Sequence, residues 1–456
     1  MSTDTHWIDD LLLSRSDGEF LLGEALPRSV LREEVGIRQE MLRGYGVGPA
    51  SSVAIRLPPC AEFITIALAT WRCGARLILV DHRVPDLQWE RIVDVYGASL
   101  TFSSGTYADG RPVCVPTRLP GAPRATGHAL IQFSSGSTGD FKGIGRHVAD
   151  IVSEVTKSAS VDGAPTSGED IVVLTAFAHA YGLFAGLLTA LYTGANLIVP
   201  DHGTALGIVR TLRGATRPTS VLGVPFHLQM LATVPEPPAL PHFKRFVWSG
   251  EAAPGSVCDL VADRYRTRVG QLYGMTETGM ISADLDGLLG PSAGVLAPGM
   301  EARAEDGELL VRLRSSPYVP ELAMQQGAWQ DGWLHTGDAA TIDPDGRVNL
   351  QGRVDSQVAV GGLKVDLMAL ERIFAAIEGV RDVVVIHRKA IHAYLVLDVP
   401  DALPRISGEA DKVLAPHQRP AAYHVVPSLP KTLTGKSVRD PERLSSAAMP
   451  TERAFR

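Results

Sequence analysis

Residues 134–143 read Ser134-Ser135-Gly136-Ser137-Thr138-Gly139-Asp140-Phe141-Lys142-Gly143, directly after the apolar run Ala129-Leu130-Ile131-Gln132-Phe133. Four hydroxyls, three glycines and a lysine share ten positions. Glycine lets a backbone turn tightly and approach a ligand closely. Hydroxyls and freed backbone N–H groups wrap phosphate oxygens, and the lysine adds a point charge. A strand feeding such a loop is one way to hold a nucleotide triphosphate. It is not the Walker form, which needs Gly-Lys followed by Ser or Thr. Taken alone, the stretch also reads as a flexible Gly/Ser connector, so its partners along the chain must decide.

Four later clusters carry complementary chemistry. Gln271 to Gly279 ends a strand-like run with Tyr273, Gly274, Thr276, Glu277 and Thr278. An aromatic ring stacks on a purine, hydroxyls bind phosphate, and a carboxylate binds Mg²⁺ through oxygen; the same residues also suit a plain strand-to-turn segment. Trp333-Leu334-His335-Thr336-Gly337-Asp338 sets a carboxylate after a Gly turn, fit for two ribose hydroxyls or for capping its own backbone. Gly352-Arg353-Val354-Asp355, followed by Gly361-Gly362-Leu363-Lys364-Val365, offers a guanidinium for ribose or phosphate and a glycine pair for a hinge, or else a charged surface hairpin. Near the C-terminus, Gly435-Lys436-Ser437 matches the end of a Walker loop, but Pro430 stands where that loop needs its first glycine.

The elements that must position these residues alternate between helical and strand patterns, which predicts an α/β fold with largely parallel sheets. Strands are expected at Ser52–Leu57, Arg76–Val80, Ile171–Leu174, Ala195–Val199, Ser220–Val224, Phe243–Trp248 and Thr267–Leu272. Helices are expected at Glu62–Cys73, Leu183–Tyr192 and Leu206–Leu212. Past residue 290 the texture changes to short alternating strands, Glu308–Arg312 and Arg347–Leu350, with turns such as Asp345-Gly346 that favour antiparallel pairing. A new unit begins near 353–355, with helix Leu367–Ile377, strands Val383–His387 and Ala393–Leu397, and a helix near Gly408–Leu414. The Pro/Arg/Gly-rich piece Pro116–Gly127 reads as a surface loop.

All five clusters, in this order, resemble the motifs of the adenylate-forming enzymes, which include acyl-CoA synthetases, luciferases and nonribosomal peptide synthetase adenylation domains. That family's loop usually reads Ser-Gly-Thr-Thr-Gly-x-Pro-Lys-Gly, and Ser135–Gly143 match it except at Ser137 and Phe141. Tyr273–Glu277 match its Tyr-Gly-x-Thr-Glu, Thr336–Asp338 its Thr-Gly-Asp, Gly352–Asp355 its Gly-Arg-x-Asp, and Thr432–Lys436 its Thr-x-x-Gly-Lys. Phe177–Leu183 resemble its acyl-pocket motif and Ser249–Ala253 its adenine-binding turn. The resemblance spans roughly residues 40–445.

The resemblance implies a fold and a reaction. A large N-terminal domain, residues 1–353, would hold mixed, mostly parallel sheets flanked by helices and a small β-barrel-like subdomain. A small mobile α+β domain, residues 354–456, would carry the catalytic lysine. A carboxylate attacks the α-phosphate of ATP, releasing pyrophosphate, and a thiol then takes the acyl group. Ser134, Ser135, Gly136, Ser137, Thr138, Gly139 and Lys142 would hold the β- and γ-phosphates. Thr276 would contact the α-phosphate and Glu277 would bind Mg²⁺. Gly250, Glu251, Ala252, Tyr273 and Gly274 would seat adenine. Asp338 would grip the ribose with Arg353 nearby, and Lys436 would bridge carboxylate and α-phosphate. Asp355 stands at the hinge, whose rotation exchanges Lys436 for the Gly361-Gly362 loop. The acid pocket would be lined by His179, Tyr181, Phe226, Ser249 and Gly274, with His179 also a catalytic candidate. Amino-acid-activating relatives usually place an Asp in the pocket motif, and Phe177–Leu183 hold none, which favours an uncharged aryl or acyl acid. The acceptor would be coenzyme A, the phosphopantetheine arm of a separate carrier protein, or an amine; the alternatives are a stand-alone adenylation enzyme loading an amino or aryl acid onto a carrier protein or an amine, and, of another class, a non-catalytic ATP-binding relative. Phe141 replaces the usual proline, which would have stiffened the loop, and the region between Leu100 and Ala129 looks trimmed.

Composition bounds the rest. With 456 residues, the chain is long enough for two or three cores. A net charge of −7 without a dense basic run argues against nucleic acid or anionic membrane as partner. The four cysteines, Cys60, Cys73, Cys114 and Cys258, form no CxxC or zinc-like spacing. They point to a reduced, cytoplasmic compartment, and the polar N-terminus does not resemble a secretion signal. The uncharged stretch Leu183–Val199 is 17 residues long, the lower limit for a membrane span; with Gly186, Gly194 and Asn196 inside it, it reads as a buried helix and strand. A monomer or homodimer is expected.

Overall fold

The structure, a computed structural model, describes residues 7–15, 18–22, 26–106, 112–119, 127–135, 141–200, 203–319, 328–360, 363–432 and 437–447. Its first sheet runs β4-β3-β1-β2-β5-β6, from β1 (Ser52–Arg56), β2 (Arg76–Leu79), β3 (Leu100–Thr106), β4 (Pro112–Arg118), β5 (Leu130–Ser135) and β6 (Phe141–Arg146). The four inner strands pair in parallel, and β4 and β6 close the edges as antiparallel hairpins. The central strands are apolar on both faces, as strands covered from both sides must be. Helix α1 (Arg28–Gly44) packs on α2 (Ala61–Arg72), whose residues Phe63 to Trp71 are all buried. A helix apolar all round belongs in the core, and α2 sits in the largest apolar cluster with Phe177 and Leu183 from the second sheet's connections.

The second sheet contains β7 (Asp170–Val173), β8 (Asn196–Ile198), β9 (Thr219–Gly223), β10 (Phe243–Trp248), β11 (Arg268–Met275) and β12 (Gly279–Asp284), in the order β12-β11-β10-β9-β7-β8. All neighbours are parallel except β11–β12. Short strands extend both edges: Val295–Leu296 beside β12, Glu19–Leu22 and Leu26–Pro27 beside β8. Helix α3 (Val148–Ser158) leaves β6 and packs against β12. The helical run at residues 181–193 starts with the wide i→i+5 winding over Tyr181–Leu188 and ends at Gly194, φ +86°, a left-handed cap that favours glycine.

The third sheet is antiparallel: β13 (Ala302–Glu305), β14 (Glu308–Arg312), β15 (Trp329–Gln330), β16 (Trp333–Ile342) and β17 (Val348–Arg353), with β16 central. A two-stranded ribbon, β18 (Gln357–Val360) and β19 (Leu363–Asp366), follows. Then come helix α4 (Leu367–Ala375), β20 (Val380–His387), β21 (Ile391–Leu397), helix α5 (Leu403–Val413), β22 (Ala422–Val425) and helix α6 (Pro441–Ala447). These last elements enclose apolar clusters of their own, around Phe374 and around Tyr394.

The α/β architecture matches the expectation, and β10 and β14 have the expected bounds. One reading is corrected. Pro116–Gly127 is not wholly a loop, because Pro116, Thr117 and Arg118 finish β4, paired with Phe102, Thr101 and Leu100. A cross-strand ladder decided that segment, and its proline sits on an edge strand where the missing donor is tolerated. No helix among the described residues is long and apolar enough to cross a membrane.

Candidate active site

The candidate residues gather where the parallel strands of two sheets end, the side on which open α/β sheets bind ligands. Ser134 and Ser135 end β5, Asp81 follows β2, His179 follows β7, Ser249 follows β10, and Tyr273 and Gly274 end β11.

The phosphate-type loop is the tip of the β5–β6 hairpin, whose last pairs are Ser134 with Lys142 and Ser135 with Phe141. Gly136, Ser137, Thr138 and Gly139 lie outside the described residues, as do the side chains of Ser135 and Phe141. Lys142 pairs with no carboxylate among the described residues, which suits a cation kept for an anionic ligand. At Gly143 a Cβ would come within 2.2 Å of Tyr96 Oη, so only glycine permits the ring to pack under the hairpin.

The second cluster forms the β11–β12 turn. Met275 pairs with Gly279, leaving Thr276, Glu277 and Thr278 at the tip. Ser134 Oγ donates to Glu277 Oε1 at 3.1 Å, which brings the two clusters together. Arg146, buried at the end of β6, donates to the Thr276 carbonyl at 2.7 Å. On α3, Glu154 and Lys157 form a buried 2.6 Å ion pair. Glu154 accepts from the Met280 N–H at 2.7 Å and Lys157 donates to the Met280 carbonyl at 2.7 Å. Gly279 has φ +74°, and a Cβ there would lie 2.1 Å from Glu154 Oε2; this clamp requires the glycine.

The third and fourth clusters meet across the β16–β17 ladder, where Asp338 pairs with Arg353. Arg353 Nη1 donates to Asp338 Oδ1 and to the Thr336 carbonyl, both at 3.2 Å. Tyr273 Oη donates to Asp338 Oδ2 at 2.5 Å. Burial, then the Asp338 charge, raises the Tyr273 phenol far above its ordinary range, so the ring remains a donor. Asp338 thus does not cap its own backbone: its N–H bonds Thr336 Oγ1 at 3.0 Å while its carboxylate faces Tyr273 and Arg353. Glu308 on β14 holds the preceding turn, accepting from the Gly337 N–H at 2.8 Å and contacting His335 Nδ1 at 2.9 Å.

After β17 the chain makes a single helical turn, Val354–Ser356, which includes Asp355; its side chain lies outside the described residues. Ser356 Oγ donates to Asp366 Oδ1, the cap of α4. Gly361, Gly362 and Lys436 lie outside the described residues; Lys431 and Ser437, which flank Lys436, bridge at 2.8 Å.

The pocket motif supplies His179, whose Nε2 lies 2.7 Å from Asp81 Oδ2. Tyr181 Oη donates to the Val247 carbonyl at 2.7 Å, and Gln132 Nε2 to the Ala178 carbonyl at 2.9 Å. Phe226 is half exposed and Ser249 is buried. Gly250, at φ +99°, Glu251 and Ala252 follow β10. His227 accepts the Val224 N–H at Nδ1; burial, aided by the Arg83 charge, lowers its pKa to about 4. Among the described residues no group of three or more His, Cys, Asp or Glu is arranged to hold a metal ion. Glu277, held by Ser134 beside the phosphate-type hairpin, offers carboxylate oxygens of the kind that bind Mg²⁺ shared with phosphates.

Sequence reasoning missed Asp81, Arg146, Glu154, Lys157, His227 and Glu308. They stand in ordinary strand, helix and loop segments, and only the fold brings them to the site.

Residues 33–312 match the model of the AMP-binding enzyme family, and the chain belongs to that family. It is 27% identical over 438 residues to the 3-[(3aS,4S,7aS)-7a-methyl-1,5-dioxo-octahydro-1H-inden-4-yl]propanoyl:CoA ligase of Mycobacterium tuberculosis, covering 83% of this chain and 84% of that one. It is 27% identical over 433 residues to the probable non-canonical nonribosomal peptide synthetase CymA of Salinispora arenicola; that match takes in 87% of this chain but only 5% of the synthetase's length. In fold it is similar to a benzoate CoA ligase from Burkholderia xenovorans, with TM-score 0.82 at 19% identity, covering 96% of this chain and 99% of that one.

Proposed function

We propose that the chain activates a carboxylic acid with ATP as an acyl-adenylate, releases pyrophosphate, and passes the acyl group to a thiol. The observation that carries this reading is the joining of three separated motifs into one polar rim: Ser134 bonds Glu277 at 3.1 Å, and Asp338 bonds Tyr273 at 2.5 Å. Two anions must meet in the first step, so cations and donors at the phosphates should dominate the rate. Lys142 and the loop hydroxyls take the β- and γ-phosphates, Thr276 the α-phosphate, and Asp338 with Arg353 the ribose. Glu277 would hold Mg²⁺, which supplies charge neutralisation between the phosphates. Lys436 bridges the carboxylate and the α-phosphate. Residues from 354 onward turn about Asp355 between the two half-reactions.

The absence of an Asp from Phe177–Leu183 supports an aryl or acyl acid over an amino acid. The CoA ligases among the relatives support coenzyme A as acceptor, and the synthetase match supports a carrier protein's phosphopantetheine. An amine acceptor is the second reading, favoured by fold similarity to an amide bond synthetase from Marinactinospora thermotolerans, TM-score 0.78. ATP–pyrophosphate exchange over a panel of carboxylic acids tests the proposal. Exchange that depends on one class of acid is the expected result. ATP binding without exchange for any acid would instead mark a non-catalytic nucleotide binder.

A further inference from the structure

The contact between Asp81 and His179 joins the two large sheets at their ligand-binding ends: Asp81 follows β2 of the first and His179 follows β7 of the second. The Asp81 side chain is 3% exposed, and both its oxygens are committed. Oδ1 accepts from the Arg83 backbone N–H and Nε at 2.9 Å each; Oδ2 accepts from Arg83 Nη2 at 2.6 Å and faces His179 Nε2 at 2.7 Å. Burial alone would raise the Asp81 carboxyl, but the hydrogen bonds from Arg83 and His179 outweigh it and hold the group well below the usual carboxylate range. An ionised carboxylate only accepts, so the His179 hydrogen must lie on Nε2.

The other ring nitrogen follows from this. In the neutral ring Nδ1 is then a bare acceptor, and it has no hydrogen-bond partner among the described residues. The ring is 25% exposed and sits next to Ala178, whose carbonyl is tied to Gln132, two residues before Ser134 on β5. Tyr181 Oη is committed to the Val247 carbonyl and His227 Nδ1 to the Val224 N–H, while Gln132 Oε1 and Thr175 Oγ1 are buried without a hydrogen-bond partner among the described residues.

We propose that Asp81 is a positioning residue that holds His179 with its hydrogen on Nε2, and that the bare Nδ1 makes the pocket select acids with a second hydrogen-bond donor, a ring hydroxyl or amino group. This rests on the acid-activating reading of the site. A donor on the substrate completes Nδ1, whereas a methyl or methoxy group in the same place leaves a desolvated acceptor unpaired, which costs more than the bond itself is worth.

The test is ATP–pyrophosphate exchange with matched acids: hydroxybenzoates and aminobenzoates against methyl- and methoxybenzoates of the same ring position. For at least one ring position, the donor-bearing acid should be favoured at least about tenfold in kcat/KM, the scale of one hydrogen bond. His179→Leu should collapse that ratio to near unity. Asp81→Asn should shrink or invert it, because the amide can donate to Nε2 and move the ring hydrogen to Nδ1, and the change should fall on the acid's KM and leave the KM for ATP in place. Should Asp81→Asn not fold, the His179→Leu ratio decides alone. Exchange without donor preference at any position, or a preference that survives His179→Leu, overturns this inference and leaves the activity standing. No exchange with any acid overturns the activity and this inference with it.

Discussion

Tyr273 and Asp338 share a 2.5 Å hydrogen bond that ties the end of β11 to β16, so one carboxylate is fixed by residues of two different sheets. Arg353 takes its other oxygen. Asp338→Asn removes the charge from both contacts and from the proposed ribose grip. A charge-assisted hydrogen bond is worth about 1.5–3 kcal/mol. The KM for ATP in pyrophosphate exchange should therefore rise about tenfold or more, with the KM for the acid moving less than about threefold. An equal rise in both would detach Asp338 from the nucleotide.

The Glu154–Lys157 pair holds Met280 by both its N–H and its carbonyl, next to the turn that carries Thr276 and Glu277. Lys157→Met strands a buried carboxylate and should cost about 3–5 kcal/mol of stability. Glu154→Gln combined with Lys157→Met leaves no stranded charge and should restore most of it. Urea unfolding of the two variants checks this; equal losses would show that the charge pair is not what matters.

His227 gives the protein an acid limb. Its pKa, about 4 in the fold because of burial and then Arg83, lies below the ordinary value near 6.5. The unfolded chain thus takes up the proton first. The stabilisation is complete above about pH 6.5 and is lost as pH falls toward 4, reaching roughly 2 kcal/mol by pH 5. His227→Asn should flatten that stretch of a stability–pH curve measured by urea unfolding. An unchanged slope would place the acid limb elsewhere.

Lys436 and Asp355 should separate the half-reactions. Lys436→Ala should slow adenylate formation about a hundredfold or more, as for loss of one preorganised charge donor, and spare transfer from preformed adenylate. Asp355→Pro should do the reverse. Pyrophosphate exchange measured beside thioester formation distinguishes them; matching losses in both assays would refute separate roles.

The polar rim was legible because its chemistry is compressed into contiguous stretches. Ser134, Glu277, Asp338 and Arg353 each stand in a cluster of glycine, hydroxyl and charge, and the chain's alternating pattern already placed those clusters at strand ends. What holds the rim was not legible. Arg146, Glu308 and the Glu154–Lys157 pair reach the site through separations of 130, 29 and 126 residues, and a lone arginine or glutamate on a strand or helix looks like any solvated one. The proposed acid pocket divided in the same way. His179 stood in a recognisable motif, whereas Asp81 had nothing local to mark it.

The loop hairpin and the carboxylate turn are stapled twice, by Ser134 to Glu277 and by Arg146 to the Thr276 carbonyl. One staple comes from each strand of the hairpin. Mechanically the two are a single jaw, because neither β5 nor β6 can lift without dragging the β11–β12 tip along. On the proposed function, departure of a leaving group from the hairpin would pull on the carboxylate turn in the same motion, through both staples at once.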